Sequence, residues 1–258
     1  MDGLLLNTED LYTECINLVL AKYDKPSLPW SIKAQLQGRP APAAAEVFQA
    51  WAQLPVAYDD YMAEVFAHQQ RAFPGAKALP GVETLLTELA RTRNGGRPVH
   101  IALATSSATP TFKLKVTNHG ELFSVFEQHR RVLGDDPRIQ PGRGKPLPDI
   151  YHLALKTIND SLPAGEAPIT PEECLVFEDS VPGVEAGRRA GMRVVWVPYE
   201  GLLKEYAGRE GEVLAGRTGT AGDVDMHQVG EVDDGWAQQL KSLENFPYEK
   251  YEIVVPSA

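Results

Sequence analysis

The sequence predicts an α/β protein: a Rossmann-like parallel sheet core with an inserted helical cap. Between residues 82 and 198, short apolar runs alternate with amphipathic helical stretches, as a series of βα units requires. Those runs are apolar throughout instead of alternating, which fits parallel strands buried on both faces. Residues 29–74, in contrast, carry helical periodicity with almost no strand signal.

Taken in order, residues 8–23 predict a helix. Thr8 is its expected cap, Glu9 and Asp10 suit its positive end, and Leu11, Cys15 and Leu18 recur at helical spacing. LPWSIKAQLQG, PAPAAAEVFQAWAQL and YDDYMAEVFAHQQRAF predict three more helices, stopped by Gly38, Pro55 and Pro74. After Pro80-Gly81, VETLLTELA predicts a helix with Val82, Leu85, Leu86 and Leu89 on its inner face. VHIALAT then reads as a strand, FSVFEQHRRVLG as a strand region, DIYHLALKTIN as a helix, CLVFED as a strand, VPGVEAGRRAG as a helix and MRVVWVP as a strand. Eight glycines between 201 and 235 predict mostly loop, and WAQQLKSLENF predicts a closing helix. The division expected is a core of residues 1–13 and 79–258 with a cap of residues 14–78.

The 258 residues are 43% hydrophobic, enough to build a core without disulfides. Lys and Arg number 25 against 35 Asp and Glu, a formal charge of −10, with no run of five like charges. Nucleic-acid and anionic-membrane partners need a basic footprint that this chain lacks. No stretch approaches the roughly 18 apolar residues of a membrane span, and MDGLLLNTED does not read as a secretory leader. Two distant cysteines, Cys15 and Cys174, exclude a disulfide framework and a Cys-rich zinc site, so a reducing, cytoplasmic setting is expected.

Ligands of open parallel sheets bind beyond the carboxyl ends of the strands. The polar residues that end the apolar runs should therefore gather: Asp2 and Gly3, Thr105 to Ser107, and Glu178 with Asp179. Lys145 joins them from the basic, glycine-rich PGRGKPLPD just before a helix. The carboxylates suit a hard cation such as Mg²⁺. The hydroxyls, Lys145 and free backbone amides suit a phosphate. Singly, Asp-Gly reads as a turn, Thr-Ser-Ser and Glu-Asp as helix caps, and Lys145 as a solvated loop residue. It is their joint order that points to a site.

The segments MDGLLLNTEDLY, IALATSS, GDDPRIQPGRGKPLPDIY and VFEDSVPGVEAGRRAGMRVVWVP, in this order and spacing, resemble the haloacid dehalogenase superfamily. Within it the chain looks most like the pseudouridine-5′-phosphatase and β-phosphoglucomutase-like branch, over roughly residues 1–200. The resemblance implies a Mg²⁺-dependent phosphatase acting on a small phosphorylated metabolite, a sugar or nucleotide phosphate, through an aspartyl-phosphate. Asp2 matches the second Asp of the family's Asp-x-Asp-Gly motif, the general acid and base, whose carbonyl ligates the metal. Thr105 and the amide of Ser106 are implied to hold phosphate, Lys145 to neutralise it, and Asp179 with Glu178 to bind Mg²⁺. Arg39, in the cap loop after Gly38, is implied to contact substrate. The family's nucleophile is the first Asp of that motif, two positions before Asp2, and would precede Met1 together with the first strand. The expectation is therefore that Met1 is internal to a longer protein and that residues 1–258 alone are inactive and weakly stable. Two other readings remain open on the sequence: a sugar phosphomutase, and a catalytically inactive binding or regulatory protein.

Overall fold

A computed structural model describes residues 1–258 except 40, 96, 220–228 and 257–258, and omits the side chains of 41 and 42. The first helix, α1 (Thr8–Lys22), has Glu9 and Asp10 in its first turn and Lys22 in its last, complementing the helix dipole. Its cap position is Asn7, not Thr8, whose hydroxyl instead turns towards Asp2. Helices α2 (Trp30–Leu36), α3 (Ala41–Ala52) and α4 (Tyr58–Ala72) follow as the periodicity predicts. With α1 they enclose a core of their own around Cys15, Val19, Leu20, Phe48, Tyr61 and Val65, in which Phe48 stacks on Tyr61 at 4.6 Å between ring centroids.

The second half is built from parallel strands and helices. Helix α5 (Val82–Arg91) buries Val82, Leu85, Leu86 and Leu89, the face that its spacing specifies. After it come β1 (Leu103–Ala104), α6 (Thr109–Lys115), α7 (Gly120–Phe123), β2 (Arg131–Val132) and α8 (Asp149–Asn159). Then follow β3 (Leu175–Glu178), α9 (Val181–Arg189), β4 (Arg193–Trp196), α10 (Glu200–Glu205), α11 (Glu210–Ala215) and β5 (Ala237–Gln239). Among the described residues, the pairings between these strands are all parallel.

The sheet is split. β1 pairs with β2, and β3 with β4 and β5, but among the described residues no pairing joins β1 to β3. A cavity of about 640 Å³ lies between the two halves. Met1 and Leu5 line it at one side, Leu103 and Ala104 from β1, and Val176 and Phe177 from β3. An edge without a partner does not hold a long strand, and the apolar run VHIALAT is paired only at Leu103 and Ala104.

Three expectations fail here. FSVFEQHRRVLG is mostly helical turn, because Phe123 and Phe126 pack into the core from α7 and the turn after it; only Arg131 and Val132 are strand. The glycine-rich 201–235 region holds α10 and α11, anchored by the buried Leu202 and Val213. The expected closing helix at WAQQLKSLENF is instead β5. The open edge of β4 draws it into extended pairing: Val194 N–H donates to Trp236 C=O at 2.9 Å and Leu240 N–H to Trp196 C=O at 2.8 Å. A local helical pattern loses to the unsatisfied backbone of a neighbouring strand.

Candidate active site

The polar ends of β1 and β3 converge on a tight turn formed by residues 1–6. Leu5 N–H donates to Met1 C=O at 2.8 Å and Gly3 N–H to Leu6 C=O at 3.0 Å. Gly3 has φ +62°, and a Cβ there would lie 2.3 Å from Asp179 Oδ2, so only glycine lets this turn press against Asp179.

Asp2 is gripped from three sides. Its carboxylate accepts from Thr8 Oγ1 at 2.5 Å and from Ser107 Oγ at 2.7 Å, and pairs with Lys115 Nζ at 2.6 Å. Lys115, at the end of α6, is fully buried and also donates to Ser107 Oγ at 2.7 Å and Tyr12 Oη at 2.8 Å. Burial pushes the Asp2 carboxyl upward, but the Lys115 ammonium and the nearby α-amino group outweigh it and hold the carboxyl well below its ordinary value.

The second acidic pair is divided in its partners. Glu178 is in a buried ion pair with Lys145, accepts from the Tyr151 hydroxyl, and lies 3.1 Å from Ser180 Oγ. Burial opposes its ionisation, yet Lys145 beside it lowers its pKa. Asp179 has no ion-pair partner among the described residues; its Oδ2 accepts from Gln37 Nε2 at 2.5 Å. Burial first, then the charges of Glu178 and Glu9, push its pKa well above the carboxylate range. The Met1 α-amino group is buried among Asp2, Asp179, Lys145 and Glu178, and that burial lowers its pKa.

Thr105 is buried at the end of β1, where its N–H donates to Val132 C=O at 3.0 Å and its Oγ1 accepts from Ser107 N–H at 3.2 Å. Ser106 is exposed beside it and passes close over Gly134, where a Cβ would lie 2.0 Å from the Ser106 carbonyl oxygen. Arg39 is half-buried, its Nε has no hydrogen-bond partner among the described residues, and its charge acts on Tyr206. The side chain that carries the helical block to the acidic pair is Gln37. Sequence reasoning missed Gln37, Lys115, Ser107 and Tyr151. Lys115 had a visible signal: it lies three residues after Phe112, on the buried face of α6, where the pattern calls for an apolar side chain.

As a cation site, the arrangement offers one carboxyl group without an ion-pair partner among the described residues, Asp179, packed against the Gly3 turn. Among the described residues, no three His, Cys, Asp or Glu side chains come together as a ready-made metal cluster. A buried carboxyl with two acidic neighbours and no cationic ion-pair partner fits a hard cation, to which backbone carbonyl and phosphate oxygens would add donors.

The model of the haloacid dehalogenase-like hydrolases matches residues 1–191. The chain belongs to this family. A Saccharomyces cerevisiae relative named probable pseudouridine-5′-phosphatase is 42% identical over 77% of this chain and 80% of its own. A (DL)-glycerol-3-phosphatase of Arabidopsis thaliana is 38% identical over 83% of this chain and 67% of its own. A hydrolase of the family from Deinococcus radiodurans, whose crystal structure holds phosphate and sodium, aligns with a TM-score of 0.53 at 26% identity, covering 76% of this chain and 77% of its own. These relatives put the chain with the phosphoric monoester hydrolases of the family. The matched region runs from the Asp2 turn through the end of α9, so it contains all the converging residues above.

Proposed function

We propose that this protein is a Mg²⁺-dependent phosphatase for a small phosphomonoester, a sugar or nucleotide phosphate, with residues 14–78 as a cap over the site. The observation that carries the proposal is the meeting of Asp2, Lys145, Glu178 and Asp179 around one turn, from three separate stretches of chain. The relatives' names, pseudouridine-5′-phosphatase and glycerol-3-phosphatase, agree with a small, hydroxylated phosphate ester as substrate.

In this reading Asp179 and the Asp2 carbonyl hold Mg²⁺, which supplies charge stabilisation for the transferring phosphoryl group. Glu178 supports from behind, fixed by Lys145 and Tyr151. Thr105, with the amide of Ser106, holds the phosphate, and Lys145 balances its charge. Asp2 handles the proton of the leaving alkoxide. As seen, Asp2 is an ionised partner of Lys115, so its work as an acid requires its release from that ammonium. Arg39 is the proposed substrate contact of the cap.

The nucleophilic carboxylate of the family's route belongs, on this reading, to a strand that fills the cavity between β1 and β3, outside residues 1–258. The test is to compare residues 1–258 with a chain extended at its N-terminus by an apolar strand ending in Asp. The extended form should release phosphate from a panel of sugar and nucleotide monophosphates with Mg²⁺ and stop in excess chelator. Lys145→Ala and Asp179→Asn should each slow it at least about 100-fold, the order of losing one electrostatic group in a preorganised site. Full turnover in chelator would overturn the metal assignment, and unaltered variants would overturn the site. Isomerisation of sugar phosphates without phosphate release would replace the phosphatase by a phosphomutase.

A further inference from the structure

We infer that Gln37 is a positioning residue for the Asp179 carboxylate, so that seating of the helical block on the core and cation binding at Asp179 favour each other. This rests on the reading of Asp179 as a cation ligand. Gln37 directly follows α2, 142 residues away from Asp179 in sequence, and is buried. Its Nε2 donates to Asp179 Oδ2 at 2.5 Å, while its Oε1 finds no donor among the described residues. Asp179 is therefore the partner that holds this amide in place.

The backbone beside it leaves little freedom to retreat. Gly38 has φ +76°, and a Cβ there would lie 2.3 Å from Ser180 Oγ, so the loop is in close contact with the start of α9. The same contact works on the carboxylate. A carboxylate held through one oxygen presents the other in a defined direction, and removing such an outer partner typically weakens metal binding by about 10–100-fold. Linkage makes the effect mutual: if a seated Gln37 improves cation affinity, a bound cation strengthens the seating by the same factor. Glu9, which packs against Lys33 of α2, lies beside the same pair and is the other acidic group that faces Asp179 across this boundary.

Two readouts on the full chain test this: Mg²⁺ affinity by titration calorimetry, and amide hydrogen exchange of residues 30–39 with and without Mg²⁺. In the parent, Mg²⁺ should slow exchange in 30–39. Gln37→Met keeps the bulk but has no donor; it should weaken Mg²⁺ binding about 10-fold or more and abolish the Mg²⁺ response of exchange. Gln37→Ala should do the same. If Gln37→Met binds Mg²⁺ as the parent does and its exchange still responds, the inference is overturned while Asp179 stands as a ligand. If the parent binds no Mg²⁺, or Asp179→Asn binds it equally well, the cation reading fails and this inference with it.

Discussion

Asp2 and Asp179 lie on either side of the Gly3 turn and are perturbed in opposite directions, because a buried ammonium beside Asp2 outweighs its burial, whereas burial and the charges of Glu178 and Glu9 prevail at Asp179. The two signs separate in a pH titration of stability. The depressed pKa of Asp2 contributes stability above the ordinary carboxylate value, and this is lost as pH falls through the folded-state value. The raised pKa of Asp179 acts the other way: stability falls as pH rises from the ordinary carboxylate value up through the raised one. Asp179→Asn should therefore stabilise the metal-free protein near neutral pH and flatten the loss on the alkaline side. Denaturant titrations between pH 5 and 9 check this. Lys115→Met should be costly, because it leaves Asp2 beside a dry apolar group; about 3 kcal/mol is expected, at the lower end for a buried pair since Asp2 is partly exposed. Its acid-side stability loss should also be shallower than in the parent.

At the level of elements, the pairings that matter most are those the chain makes late. β5 exists because β4 offers an open edge, and the bond from Leu240 N–H to Trp196 C=O closes that ladder. Leu240→Pro removes the donor and should cost about 3 kcal/mol. Hydrogen exchange should then rise in 236–240 and at β4, while the helical block of α1 to α4 stays protected; unchanged protection of β4 would mean that β5 contributes nothing to the sheet. At the other boundary, Gly38→Ala places an L side chain at φ +76° against Ser180. A local cost of about 1–3 kcal/mol is expected, read as faster exchange in α2 with the core helices unaffected.

For the whole molecule, the split sheet dominates. Two parallel half-sheets face a cavity of about 640 Å³, and among the described residues no strand pairs with the edges on either side of it. An apolar strand placed there would bury five or so side chains at roughly 1.5–3 kcal/mol each, on the order of 10 kcal/mol. A typical domain has only about 5–15 kcal/mol of net stability. Residues 1–258 alone should therefore unfold at a much lower temperature than the strand-extended form and aggregate through the exposed edges. Differential scanning calorimetry of the two forms, side by side, checks this; matching cooperative transitions would refute it. The short form should also show no metal-dependent phosphate release.

How much of this was legible in the sequence depends on the range of the forces involved. The helices α1 to α5, α8 and α9 were readable because an amphipathic stripe is a local property: Val82, Leu85, Leu86 and Leu89 share a face whatever they pack against. Parallel-sheet geometry predicts that Asp2, Thr105, Lys145, Glu178 and Asp179 share one edge, since strands running one way bring their polar ends together. What these groups touch it does not predict. Lys115 against Asp2, Tyr151 against Glu178 and Gln37 against Asp179 join residues 113, 27 and 142 positions apart (115 − 2 = 113 for the first), and no periodicity encodes such partners. Nor does any local pattern make 237–239 a strand. Its helical spacing was real, but hydrogen-bonding groups along β4 needed partners, and only the assembled sheet supplied that demand.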